Sequence, residues 1–195
     1  KPSVGEAPLH DFPTGHLYRR EYAAYLLAKA LGWHFIPPTV IRDGPYGIGS
    51  MQLFIRHDIW EHYFTLRERY QEELLCLCLF DLLTNNADRK GGHCLLGIDG
   101  RIWGIDHGLT FNRDLKLRTV IWDFANQPIP VRLLEDVRRV SQRLVSGDQL
   151  FTEMEDLLVP QEIESLKTRF TYLLKDPKFP DPFFTGKRSW PYPLV

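Results

Sequence analysis

The sequence predicts a mixed α/β fold, of the α+β kind and mainly helical, on three observations. Apolar side chains recur at helical spacing across residues 17–31, 71–83, 131–144, 149–158 and 161–174. Two pairs of short β-rich runs, 39–42 with 50–55 and 93–97 with 101–105, face each other across Gly-containing turns, the signature of antiparallel hairpins. The length, 195 residues, suffices for one sizeable core or for two small lobes sharing a cleft.

Composition narrows the class. Hydrophobic residues make up 44% and charged residues 25%, ordinary for a soluble globular protein, and 13% aromatic content argues against a disordered chain. The net charge of -1 gives no general attraction to nucleic acid or to an anionic membrane. Cys76 and Cys78 sit in an apolar helical run and Cys94 leaves the count odd, so reduced thiols and a cytoplasmic location are expected. No apolar run is long enough to span a bilayer and no signal peptide is visible. The chain opens on Lys rather than Met, so further sequence upstream is expected.

Taken in order, residues 3–15 carry Pro8 and Pro13 and read as a surface connection. The 17–31 helix has Thr14 upstream and Gly32 as its stop; Ala24, Leu27 and Leu31 form one face that Ala23, Leu26 and Ala30 widen. In the first hairpin, Asp43-Gly44-Pro45 and Gly47-Ile48-Gly49 make the turn. His57 and His62 are neither i,i+3 nor i,i+4, so they read as ordinary histidines rather than a metal pair. The 71–83 helix leaves almost no polar face and belongs at the centre of the larger lobe. Ser146-Gly147-Asp148 separates the next two helices, and Pro160 suits the first turn of the last. A tail with Phe179, Phe183, Phe184, Trp190 and Tyr192 among several prolines is expected to wrap the folded surface.

The chemistry concentrates between residues 81 and 112. Asn86-Ala87-Asp88-Arg89-Lys90-Gly91-Gly92 is a loop, and the hairpin after it turns at Asp99-Gly100. Its second strand ends in Ile105-Asp106-His107-Gly108. Because a hairpin folds back on itself, Asp88 before it and Asp106 after it emerge at the same end. Paired carboxylates with Arg89 and Lys90 beside them suit a magnesium-bound phosphate: one carboxylate for the hard cation, one for an attacking hydroxyl. Loop aspartates also cap turns, and spacing alone does not separate the two roles.

Asn86-Ala87-Asp88-Arg89, the hairpin, and Ile105-Asp106-His107-Gly108-Leu109-Thr110-Phe111 resemble the catalytic loop and metal-binding turn of the phosphatidylinositol 3-/4-kinase-like branch of the protein kinase-like superfamily. The likeness is greatest to uncharacterised bacterial members and extends to type II phosphatidylinositol 4-kinases. It implies a protein-kinase-like fold, with a reduced N-terminal nucleotide-binding lobe at residues 1–56 and a helical catalytic lobe with its tail at 57–195. It also implies an ATP-dependent phosphotransferase in which Asp88 orients the acceptor and Asp106 holds Mg2+ on ATP. Arg89 and Lys90 would neutralise charge near the transferred group.

Lys1-Pro2 resembles the Lys-Pro pair that ends an early strand in the family, so Lys1 is expected to contact nucleotide phosphates and Glu21 to hold its ammonium. The family's phosphate-covering loop would precede Lys1. Gly49-Ser50-Met51-Gln52-Leu53-Phe54-Ile55 resembles the segment joining the lobes, placing adenine against Gln52, Leu53, Phe54 and Ile55. One position departs: five residues after Asp88 the family carries a metal-binding Asn, and here stands His93. Imidazole suits softer ions than magnesium, which makes His93 a candidate for Mn2+ or for a phosphate. The acceptor is open, and a non-catalytic nucleotide-binding module or an AMP transferase are the alternatives.

Overall fold

The computed structural model describes residues 1–183; the tail positions Phe184, Trp190 and Tyr192 lie outside the described residues. Leu17–Leu31 forms α1, closed by Gly32 at a left-handed φ of 81° with its N–H on the carbonyl of Lys29, a conformation that costs glycine little. Thr39–Gly44 (β1) and Gly47–Gln52 (β2) pair antiparallel, from Thr39 opposite Gln52 to Gly44 opposite Gly47, so the turn shrinks to Pro45 and Tyr46. The second strand was expected to run to Ile55. It stops at Gln52 because the next residue in register is Pro38, which accepts the Leu53 N–H at 2.8 Å but has no N–H to return the bond.

The first residues lie along the other edge of β2. Ser50 N–H donates to the Lys1 carbonyl at 3.0 Å and Ser3 N–H to the Ile48 carbonyl at 2.8 Å. Gly49 permits this approach, since a Cβ there would stand 2.4 Å from the Lys1 carbonyl oxygen. Lys1 is thereby held at a defined place above α1, which packs against this sheet and against two later helices.

Tyr63–Leu66 (α2) is a single turn, and Gln71–Thr84 (α3) follows it. Leu74, Leu77, Leu79, Phe80 and Leu83 of α3 are wholly buried, as its near-continuous apolar sequence requires. Cys94–Leu96 (β3) and Ile102–Gly104 (β4) are the centre of the second hairpin; flanking bonds from Ile105 N–H to the His93 carbonyl and from Gly97 N–H to the Arg101 carbonyl continue it. Val131–Ser146 (α4), Gln149–Leu157 (α5) and Pro160–Lys175 (α6) complete the helical part. Asp148 caps α5 by accepting the Phe151 N–H, and α4 buries Leu133, Val137, Val140 and Leu144. One apolar core runs from α1 through α3 to α6. Phe179 is buried beside Phe124, so the tail as far as that residue packs on the fold. Among the described residues no helix is long and apolar enough to cross a membrane, and the three cysteines are free thiols.

Candidate functional site

The rigid α3 ends in Asn85 at φ 55°, which releases the chain into the Asp88 loop. Asn86 donates its amide to Asp81 Oδ1 at 2.9 Å, Ala87 N–H donates to the Leu109 carbonyl at 2.8 Å, and Asp88 N–H to Asn86 Oδ1 at 3.0 Å. These bonds occupy the backbone and leave the Asp88 carboxylate half-buried at the loop's rim. Burial raises its pKa, and the nearby Asp106 raises it further against the opposing pull of Lys90 and Arg118. Lys90 Nζ stands 3.3 Å from Asp88 Oδ2.

Asp106 follows β4 with φ at 60°. A left-handed backbone costs a non-glycine residue of order 1–3 kcal/mol and persists only where neighbours enforce it. Here they do: the Ile105 carbonyl accepts from Arg89 Nη1 at 2.8 Å, and His107 N–H donates to Glu21 Oε1 at 2.9 Å. The Lys1 ammonium bonds Glu21 Oε2 at 2.7 Å and also the Asp106 carboxylate. Burial works to lower the pKa of Lys1, and Glu21 and Asp106 overcome it and raise it. Burial likewise works to raise both acids, yet Lys1 holds Asp106 below its ordinary value, and His107 with Lys1 holds Glu21 well below it. The triad is therefore charged at neutral pH.

His93 Nε2 lies 3.8 Å from Asp106 Oδ2, and its Nδ1 accepts the Lys90 N–H at 3.4 Å. A backbone N–H can only donate, so Nδ1 offers the lone pair and Nε2 of the neutral ring carries the hydrogen. Burial first, and then Arg89, push the His93 pKa down to about 4. The ring is neutral and presents a donor toward Asp106, which does not suit it as a metal ligand in this state.

Arg89 departs from the expectation of a cation beside the transferred group. Its side chain is wholly buried and its donors are spent: Nε and Nη2 on Asp81, Nη1 on the Ile105 carbonyl, and Nη2 on His107 Nε2 at 2.6 Å. The reason is Asp81, an acid inside the apolar α3 that has to be compensated. The Lys1, Glu21, Asp106, His93, Asp88 and Lys90 side chains gather at one place. No hydrogen bond or ion pair joins the stretch from Gln52 to Ile55 to them among the described residues. Gln52 Nε2 bonds Thr39 Oγ1, the Leu53 N–H is spent on Pro38 rather than open to a ligand, the Ile55 carbonyl pairs with His57 Nδ1, and Phe54 is 79% exposed. Asp81 and His107 were passed over in the sequence, although an acid in an otherwise apolar helix is a readable signal for the first.

The family model for phosphatidylinositol 3- and 4-kinase matches residues 39–175. The chain belongs to that family. In this phosphatidylinositol 3- and 4-kinase family protein the match takes in β1 through α6 and both aspartates. Protein Rv2133c of Mycobacterium tuberculosis (strain ATCC 25618 / H37Rv) is 37% identical over 228 residues, covering 99% of this chain and 81% of that protein. Among solved structures, the Golgi casein kinase aligns with 87% of this chain at a TM-score of 0.44 and 13% identity, and the chain spans 63% of that kinase's length. A likeness of that degree carries no argument about the site.

Proposed function

We propose that this protein is an ATP-dependent phosphotransferase, with residues 1–56 forming its nucleotide lobe and the residues from 57 onward its catalytic lobe. The observation that carries this reading is the Lys1 ammonium held between Glu21 and Asp106, with Asp106 in turn acting electrostatically on Asp88. Among the described residues no cluster of three or more His, Cys, Asp or Glu side chains forms a self-sufficient metal cage. That fits Mg2+, which is usually bound by one or two carboxylates together with substrate phosphates. Asp106, ionised and oxygen-donating, is the residue that would hold it. Bound Mg2+ and ATP supply an electrophilic phosphorus and neutralise the charge that builds on the phosphate oxygens.

The chain's own residues do the rest. Lys1, aimed by Glu21, binds phosphate oxygens. His93 donates from Nε2 to Asp106 or to a phosphate and replaces a ligand by a hydrogen-bond donor. Asp88 orients the acceptor hydroxyl and takes its proton as the oxygen bonds the transferred phosphorus and ADP departs. Arg89 acts from below, fixing the carbonyl before Asp106 and the ring after it. Adenine is assigned to the stretch around Phe54 and Ile55, beyond the end of β2.

Calorimetry with Mg-ATP on the wild type and on Asp106→Asn tests the nucleotide site; a wild type that binds no nucleotide ends the proposal. Incubation with ATP labelled at the γ- or α-phosphate then separates outcomes. Transfer of the γ label alone supports the phosphotransferase, and transfer of the α label replaces it by AMP transfer.

A further inference from the structure

A cavity of about 570 Å3, within the range of small-ligand pockets, lies apart from the carboxylate site: none of Lys1, Glu21, Asp88 or Asp106 lines it. Its walls come from the end of α3, the chain after Asn112, α6 and the segment beyond α6, and Leu82, Leu115, Leu117, Tyr172, Leu173 and Pro180 make them mostly apolar. Arg169 of α6 stands in this wall. Its Nε donates to the Leu83 carbonyl at 2.8 Å and its Nη1 to the Asn112 carbonyl at 3.4 Å. Its Nη2 is closed to water and has no hydrogen-bond partner among the described residues. The Nε bond has a structural purpose, because Leu83 is in the last turn of α3, where carbonyls lack a partner within the helix. That purpose leaves the far edge of the guanidinium unexplained.

The nearby acids do not supply what is missing. Asp176 and Asp181 also line the cavity, but Asp176 pairs with Lys178 at 3.8 Å and Asp181 accepts the Phe183 N–H at 2.7 Å. Glu162 pulls on Arg169, yet its own carboxylate is taken by Arg20 at 2.5 Å. Burial prevails and lowers the Arg169 pKa to about 10, so the group is a cation at neutral pH in a place unfavourable to one. A buried charge without a counterion is costly, and an anion that also covers the apolar walls removes that cost while burying its own apolar surface.

We infer that this cavity binds a monocarboxylic acid with an apolar body, its carboxylate on the Nη1–Nη2 edge of Arg169 and its alkyl or aryl part between Leu117, Leu173 and Tyr172. The Nη1 bond to Asn112 is at the long limit of hydrogen bonding and yields readily, which lets the guanidinium edge turn to the ligand. One donor edge beside Asp176 and Asp181 suits a monoanion and disfavours a phosphate dianion, which needs more donors than Arg169 offers.

The site stands whether or not the chain transfers phosphate, and its test needs no turnover. Calorimetry of the full chain compares octanoate with octan-1-ol, and 3-phenylpropanoate with 3-phenylpropan-1-ol, each acid against its neutral counterpart. The wild type is expected to bind at least one acid about tenfold or more tightly than its alcohol, the size of a charge-assisted contact. The preferred acid identifies the ligand's body as alkyl or aryl. Arg169→Gln is expected to bring acid and alcohol to equal affinity. Since that change also loosens a tie to α3, Leu115→Trp serves beside it: Leu115 is 56% exposed where it lines the cavity, and a larger side chain there fills the space without touching the Leu83 bond. Leu115→Trp is expected to keep the wild-type urea midpoint and to lose the acid binding, and with it the rise in midpoint that the acid gives the wild type. Equal affinity for acid and alcohol in the wild type, or an acid preference that persists in Leu115→Trp, overturns the site. Inorganic phosphate that displaces the bound acid overturns its assignment to a carboxylate.

Discussion

Two chains of charge meet beneath the Asp88 loop, and they differ in their access to water. Asp81, Arg89 and His107 have no exposed surface, whereas the Lys1 and Asp106 side chains are 38% and 44% exposed. In the sealed chain the guanidinium is saturated by Asp81, a carbonyl and a ring nitrogen, and nothing can enter without unfolding the loop. In the open chain the same kinds of group form a pair that an incoming phosphate or cation can displace at small cost, because accessible ion pairs are worth at most about 1 kcal/mol. Adjacent residues thus differ in their setting: Arg89 is sealed beneath the loop and Asp88 stays half-buried at its rim. Residue type and proximity in sequence do not set the duty; burial does.

The sharpest way to break this comparison is to neutralise the open chain and ask whether the fold notices. Asp88→Asn is expected to cut turnover by up to about 10⁴-fold, equivalent to ~5 kcal/mol of transition-state stabilisation. Asp106→Asn should cut turnover comparably and weaken Mg-ATP binding as well. In both variants the urea midpoint should stay close to that of the wild type. Unchanged turnover in Asp88→Asn would remove that residue from the mechanism.

Neutralising the sealed chain should do the reverse. Arg89→Met leaves Asp81 as an uncompensated buried charge, and breaking such a pair costs about 4 kcal/mol. Lys90→Met, one residue on and partly exposed, should cost under about 1 kcal/mol. Urea denaturation of the two variants side by side measures the contrast, and similar losses would show that burial does not divide the two networks. The double variant Asp81→Leu with Arg89→Met should recover much of the loss, since it is the stranded charge that is expensive.

His93 lies at the boundary between the chains and gives a pH-dependent reading of it. Its pKa in the fold, about 4, lies below the ordinary 6.5, so the unfolded chain binds a proton between these values that the native protein refuses. Stability from this group is complete above pH 6.5 and declines as pH falls toward 4, by up to about 3 kcal/mol. Carboxylates titrate in the same acid range, so the informative quantity is the difference between wild type and His93→Asn. That difference should shift in favour of the variant as pH falls; a pH-independent difference would mean that the ring is not held neutral by its surroundings.

Much of this architecture is written in local pattern. Gly32 marks the end of α1, Asp99-Gly100 turns the second hairpin, and hairpin geometry alone directs the chain at Asp88 and at Asp106 to the same end. What is tertiary was not legible. The end of β2 depends on a register that sets Leu53 opposite Pro38, whose missing N–H cannot return the bond, and no alternation of side chains encodes that register. The burial of Arg89 depends on Asp81 pointing inward from a helix whose periodicity shows only that it is central. The tautomer of His93 depends on a backbone N–H three residues earlier. The hold of Arg118 on Ala87 crosses from the segment after the turn at Asp106, where sequence shows only a basic residue in a loop. Within the site, then, pattern locates the backbone of Asp88 and Asp106, and packing decides which of the charges around them remain available.

The smallest effect tests how tightly the open chain is positioned. Gly108 follows His107 at the point where Lys1 arrives, and a Cβ there would stand 2.9 Å from Lys1 Nζ and 3.6 Å from Glu21 Oε2. The ammonium is the far end of a flexible side chain, so it can move aside, and the wholly buried Arg89 pair is untouched. Gly108→Ala should therefore change the urea stability by less than about 1 kcal/mol while drawing Lys1 away from Asp106. Since misplacing a phosphate-binding charge by a fraction of an ångström weakens binding before it alters the chemical step, KM for ATP should rise by roughly threefold to tenfold with kcat reduced less. Gly108→Ala combined with Lys1→Met should then be no worse than Lys1→Met alone, because the glycine acts through the lysine. Additive losses in that pair would mean that Gly108 serves the nucleotide directly, and that the ammonium is not the part of the open chain that its missing side chain protects.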